Sequence, residues 1–122
     1  MPQLLFKDNV TVTFSVYNNS ILDLAKQVMW DFGYDCVVTG GLEGTHGLYS
    51  AHYRGMALDF RVHHIPFDRR GLVYDALCTA FGCNPANGLG TTYDVIWEAQ
   101  GKPHEHYHIE VNATVKDWPR GK

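Results

Sequence analysis

Near the N-terminus, Val10, Val12 and Phe14 alternate with Thr11, Thr13 and Ser15. That is the period of a half-buried strand, so residues 3–16 read as one or two strands. Asn18-Asn19-Ser20 breaks the alternation. Ser20 with Asp23 three residues on resembles a capping box, and Ile21, Leu24, Ala25, Val28 and Met29 then form an apolar stripe at helical spacing. Gly33 supplies the stop. Cys36-Val37-Val38-Thr39 is a short apolar strand, and the stretch from Gly40-Gly41 to about Gly55, rich in Gly, Tyr, Ser and His, reads as a loop.

Residues 57–62 look like another strand. Residues 68–82 predict a second amphipathic helix, with Leu72, Val73, Ala76, Leu77 and Ala80 on one side and Gly82 at its end. A turn-rich segment over 84–90 leads to strands at 93–97 and 107–111, joined by a loop containing Gly101 and Pro103. The order β-α-β-loop-β-α-β-β predicts an α+β fold, a small and mostly antiparallel sheet with helices packed on it. A single domain is expected over residues 1–122, since no repeat or linker divides them.

Composition narrows the function. Hydrophobic residues make up 45% and charged residues 19%, an ordinary globular balance. A formal charge of −3 argues against nucleic acid, whose backbone calls for a basic patch. No apolar run reaches the ~20 residues of a membrane span. The Met-Pro-Gln-Leu-Leu-Phe-Lys start lacks the features of a signal peptide, so a cytoplasmic location in the producing cell is expected. Cys36, Cys78 and Cys83 show no Cys-x-x-Cys spacing and are expected as reduced thiols, with Cys36 and Cys78 as small core residues.

The histidines change the picture. All seven, at 46, 52, 63, 64, 104, 106 and 108, fall after the first third of the chain. On an extended strand His104, His106 and His108 share one face while Tyr107, Ile109 and Val111 share the other. Packing gives no reason for three imidazoles on one face. Catalytic zinc does, because it takes three His or carboxylate ligands and keeps a fourth position for water. Upstream, Ser50-Ala51-His52-Tyr53-Arg54-Gly55-Met56-Ala57-Leu58-Asp59 holds a His and an Asp that can meet at one ion if the chain turns at Gly55. His52, Asp59 and one histidine of the later cluster would complete a two-His, one-carboxylate set. The run from His104 to His108 also fits the His-Glu-x-x-His motif of helical zinc proteases, but the β-favouring residues Tyr107, Ile109, Val111, Thr114 and Val115 argue for a strand.

Ser-x-His-x-x-Gly-x-Ala-x-Asp followed by Glu-x-x-His resembles the zinc D,D- and L,D-peptidases. These include D-Ala-D-Ala carboxypeptidases and dipeptidases and the L-alanyl-D-glutamate endopeptidases of phage endolysins; the same fold and metal set occur in the Hedgehog signalling domain. Ser50, His52, Gly55, Ala57 and Asp59 occupy every fixed position of the first motif, and the likeness covers most of residues 36–112. The resemblance implies zinc held by His52, Asp59 and His108. It implies a general base at Glu105, three before the last ligand, or at Glu98, which ends the preceding strand in the Hedgehog-like branch. Strand alternation turns Glu105 away from His108 unless the chain bends near Pro103. His106 would stabilise the oxyanion or shuttle a proton. Arg61 would hold a substrate carboxylate or brace Asp59, and Ser50 and His46 would support the ligands. His63 and His64 match nothing in the motif and are expected at the surface.

The implied activity is hydrolysis of peptidoglycan stem peptides by a monomeric, phage endolysin-like zinc peptidase without nucleic-acid or membrane partners, acting on the wall after release. A D,D- or L,D-carboxypeptidase is the neighbouring alternative. From another class, a catalytically silent zinc-binding module of the same fold stays open, as a phage structural or binding protein.

Overall fold

The computed structural model describes residues 1–12, 15–41 and 55–112. Five strands and two helices follow in the order β1 (Leu4–Phe6), α1 (Val16–Asp31), β2 (Cys36–Gly40), β3 (Ala57–Arg61), α2 (Arg70–Phe81), β4 (Tyr93–Glu98) and β5 (His106–Val111). A 3-10 turn, Phe67–Arg69, leads into α2. The class is α+β as the pattern predicts, and the order of elements agrees.

The sheet runs β1-β2-β3-β5-β4. It is mixed, which corrects the expectation of a mostly antiparallel sheet: β1 lies parallel to β2, while β2–β3, β3–β5 and β5–β4 are antiparallel. The cause is the connection. The whole of α1 lies between β1 and β2, and such a crossover returns the chain to the end where it began.

The start of α1 is also earlier than the Ser20–Asp23 pair suggests. Ser15 is the N-cap: its side chain accepts the Asn18 N–H at 3.0 Å, and its hydroxyl donates to the Gly55 carbonyl just before β3. Asn18, Asn19 and Ser20 are therefore helical, and Asn18 is buried. Among the described residues of the expected N-terminal strands only Leu4–Phe6 forms a strand of the sheet; Thr13 and Phe14 lie outside the described residues. Gly82, at φ 71°, takes the left-handed conformation that ends α2, and its N–H returns to the Cys78 and Thr79 carbonyls.

Both helices pack on one face of the sheet. Ile21, Leu22, Ala25 and Met29 of α1 and Val73, Leu77 and Phe81 of α2 cover Val38, Leu58, Phe60, Val95, Tyr107 and Ile109. Cys36, Cys78 and Cys83 are free and buried in the same layer, and burial pushes the Cys36 thiol up to about 12, an inert core residue. Among the described residues no helix is long and apolar enough to cross a membrane. With one face committed to the helices, every other residue of β3 and β5 projects from the opposite face. The chemistry gathers there.

Candidate metal centre and active site

Pairing sets the site. In β3 and β5, Asp59 stands opposite His108 and Arg61 opposite His106; on the far side of β5, Glu98 of β4 stands opposite His106. Leu58, Phe60, Tyr107 and Ile109 are buried under the helices. Alternation along each strand therefore sends Asp59, Arg61, His106, His108 and Glu110 to the other face together.

His108 is bracketed. Its Nδ1 lies 2.8 Å from Asp59 Oδ1 and its Nε2 lies 2.7 Å from Glu110 Oε1. His106 Nε2 is 3.6 Å from Asp59 Oδ1 and 3.5 Å from Glu98 Oε1, and Glu98 Oε1 is 3.8 Å from His108 Nδ1. The His108 side chain is 12% exposed and that of Glu98 46%, so the imidazole forms the floor of the site and Glu98 its rim. Gly40 makes room: a Cβ there would collide with the Asp59 carboxylate.

Burial opposes a charge on His108, but its hydrogen bonds to Asp59 and Glu110 outweigh burial and lift its pKa from 6.5 to about 9. A raised folded-state pKa stabilises the metal-free fold fully below about pH 6.5, and that stabilisation is lost as pH climbs through about 9. Chelator-treated protein is thus expected to lose about 3 kcal/mol across this interval, read as falling urea midpoints. With zinc bound the slope should reverse below neutral pH, because protons compete with the ion for the imidazole.

Two donors of the kinds that zinc takes stand together here. Asp59 supplies a carboxylate and His108 an imidazole side by side, and Glu110 anchors the second ring nitrogen, the usual way a metal-binding histidine is oriented. His52, Ser50 and His46 lie outside the described residues. Among the described residues no three His, Cys, Asp or Glu side chains are arranged to hold a metal ion; Asp59 and His108 are two of the three expected ligands.

Glu105 and Glu98, the two candidate bases, occupy opposite faces. Glu105 is 3% exposed and points under the sheet, where it accepts from Arg70 Nη1 at 2.9 Å, Trp97 Nε1 at 2.8 Å and the Gly101 N–H at 3.2 Å. It ties the β4–β5 loop to the start of α2. The chain does not bend enough near Pro103 to bring it round. Glu105→Ala would leave the half-buried Arg70 without its carboxylate partner and is expected to cost about 3 kcal/mol, lowering Tm by about 10 °C. If the base is Glu98, metal binding and turnover per folded molecule persist in this variant. Loss of turnover in a folded, metal-loaded variant would make Glu105 the base.

Several other residues fall differently from the pattern. β5 is a strand, so the helical His-Glu-x-x-His alternative is excluded. His104 precedes the strand instead of sharing its face, and its carbonyl meets His106 Nδ1 at 2.7 Å. His63 is exposed, as expected, with its ring on the Pro103 carbonyl at 2.8 Å, whereas His64 is half-buried against the Asp35 carbonyl at 2.7 Å. Glu110 was not singled out from sequence. Its signal was the same alternation that relates His106 to His108, carried one step further.

From Asp59, Arg61 and His106 a cleft of about 800 Å³ runs over Val37 and Thr39 to Leu5, Lys7 and Asp8 at the β1 edge. Comparison of the chain with protein-family models, curated proteins and solved structures gives no significant match.

Proposed function

We propose that this chain is a zinc-dependent peptidase of the D,D-/L,D-peptidase type that hydrolyses stem peptides of bacterial peptidoglycan, in the manner of an endolysin L-alanyl-D-glutamate endopeptidase. What supports the reading is the convergence of Asp59, His106, His108 and Glu98 on one patch of sheet, in the roles the sequence resemblance assigns. Asp59 and His108, with His52, would hold the ion. Bound there, zinc would acidify the attacking water and polarise the scissile carbonyl.

The side chains divide the remaining work. Glu98, on the rim and 3.5 Å from His106, takes the proton of the attacking water and returns it to the leaving amine. Its position favours it over Glu105, whose carboxylate is engaged by Arg70, Trp97 and Gly101. His106 stands between Asp59 and Glu98 and donates to the oxygen that gains charge as the carbonyl is attacked. Arg61, next to His106 across the strand pair, receives a substrate carboxylate.

Mass spectrometry of muropeptides of known structure, incubated with the zinc-loaded protein, tests the reading. New amine and carboxyl termini should form at one bond, vanish with a chelator and return with added zinc. Intact muropeptides across several wall types would instead favour a silent zinc-binding module.

A further inference from the structure

The far end of the cleft carries two charges, Lys7 and Asp8, that the peptidase chemistry does not use. β1 is an edge strand, and just beyond it the chain turns: the Val10 N–H reaches the Lys7 carbonyl at 3.1 Å, with Asn9 at φ 68°. Asn tolerates that left-handed conformation better than most residues. Lys7 is held to the sheet by its own N–H on the Val38 carbonyl at 2.9 Å. Lys7 and Asp8, both exposed, therefore sit side by side on the cleft wall. Neither forms an ion pair among the described residues. The other acids lining the cleft are engaged: Asp59 by the imidazoles and Glu105 by Arg70.

We infer that Lys7 and Asp8 form a subsite for an amino-acid head group, an amine and a carboxylate on one carbon. Lys7 takes the carboxylate and Asp8 the ammonium. This rests on the peptidase reading and names its substrate class: stem peptides whose third residue carries a free zwitterionic end, as diaminopimelate does, rather than the lone amine of lysine. The spacing agrees. β2 separates β1 from β3, so Lys7 lies two interstrand spacings, about 10 Å, from the strand of Asp59, the length of about three extended residues. A stem peptide cut near its first peptide bond places its third side chain at that distance. Between the two ends, Leu5, Val37 and Thr39 make an uncharged floor.

Calorimetric binding to the zinc-loaded full chain carrying Glu98→Gln tests the subsite without requiring turnover. The probes are L-Ala-γ-D-Glu-meso-diaminopimelate, the same peptide amidated at the distal carboxylate, the same peptide acetylated at the distal amine, and the L-lysine analogue. The free diaminopimelyl peptide should bind about tenfold more tightly than the other three. Adding Lys7→Met should erase its advantage over the amidated probe, and Asp8→Asn its advantage over the acetylated one. Both positions are exposed, so the variants should fold. Equal affinity for all four probes, or no binding of any, overturns the subsite. A wild-type chain that cuts lysine and diaminopimelate peptides with equal KM also overturns it and leaves the peptidase reading standing. Selective binding with no cleavage by the wild type does the reverse.

Discussion

Glu98→Gln is expected to lower muropeptide turnover by about a thousandfold while the protein keeps its zinc. The amide preserves size and the rim position but cannot accept a proton from the attacking water. Because Glu98 is 46% exposed and meets His106 and His108 only at 3.5 and 3.8 Å, the fold should hardly register the change. KM should stay within a few-fold, so the loss falls on kcat. Turnover within tenfold of wild type would remove Glu98 from the reaction and return attention to Glu105.

Asp59→Ala is expected to abolish both bound zinc and hydrolysis. A supporting carboxylate such as Glu110 costs about 10- to 100-fold in metal affinity when removed; loss of a direct ligand should cost more, leaving desalted protein without measurable metal. Asp59 is also one of the two carboxylates that raise the His108 pKa, so the metal-free variant should lose much of the dependence of stability on pH between 6.5 and 9. Elemental analysis reads the first effect and denaturation at several pH values the second. A variant that keeps stoichiometric zinc and cuts muropeptides at the wild-type rate would refute the ligand assignment.

How much of this was legible in the sequence depended on range. The apolar stripes of both helices and the strand-like runs at 93–97 and 107–111 are local, and they located α1, α2, β4 and β5 to within a few residues, apart from the start of α1. There two serines competed: Ser20 had an acid three residues on, whereas Ser15 sat inside an alternating run that imitates a strand. Only the tertiary burial of Asn18 and the bond from Ser15 to Gly55 decide between them. Strand order was not legible, because β3 pairs with β5 across α2 and β4, and nothing near Asp59 announces His108. Glu105 is the same lesson at the site. Alternation already turned it away from His108, yet the guanidinium that holds it comes from Arg70, 35 residues earlier. His46, Ser50 and His52 rest on motif spacing, since they lie outside the described residues.

The segment from Glu105 to Val111 works like a two-sided zipper, its odd positions tethered inward and its even positions presenting imidazoles and a carboxylate. One inserted or deleted residue within it would exchange the sides, putting the histidines among the aromatics and Tyr107 in the solvent. Natural or engineered length changes must therefore fall outside it. In residues 99–104, where Ala99 and Gly101 already adopt positive φ, a length change would leave the alternation of β5 intact, at the expense of the loop's own bonds from Gly101 to Glu105 and from His104 to His106.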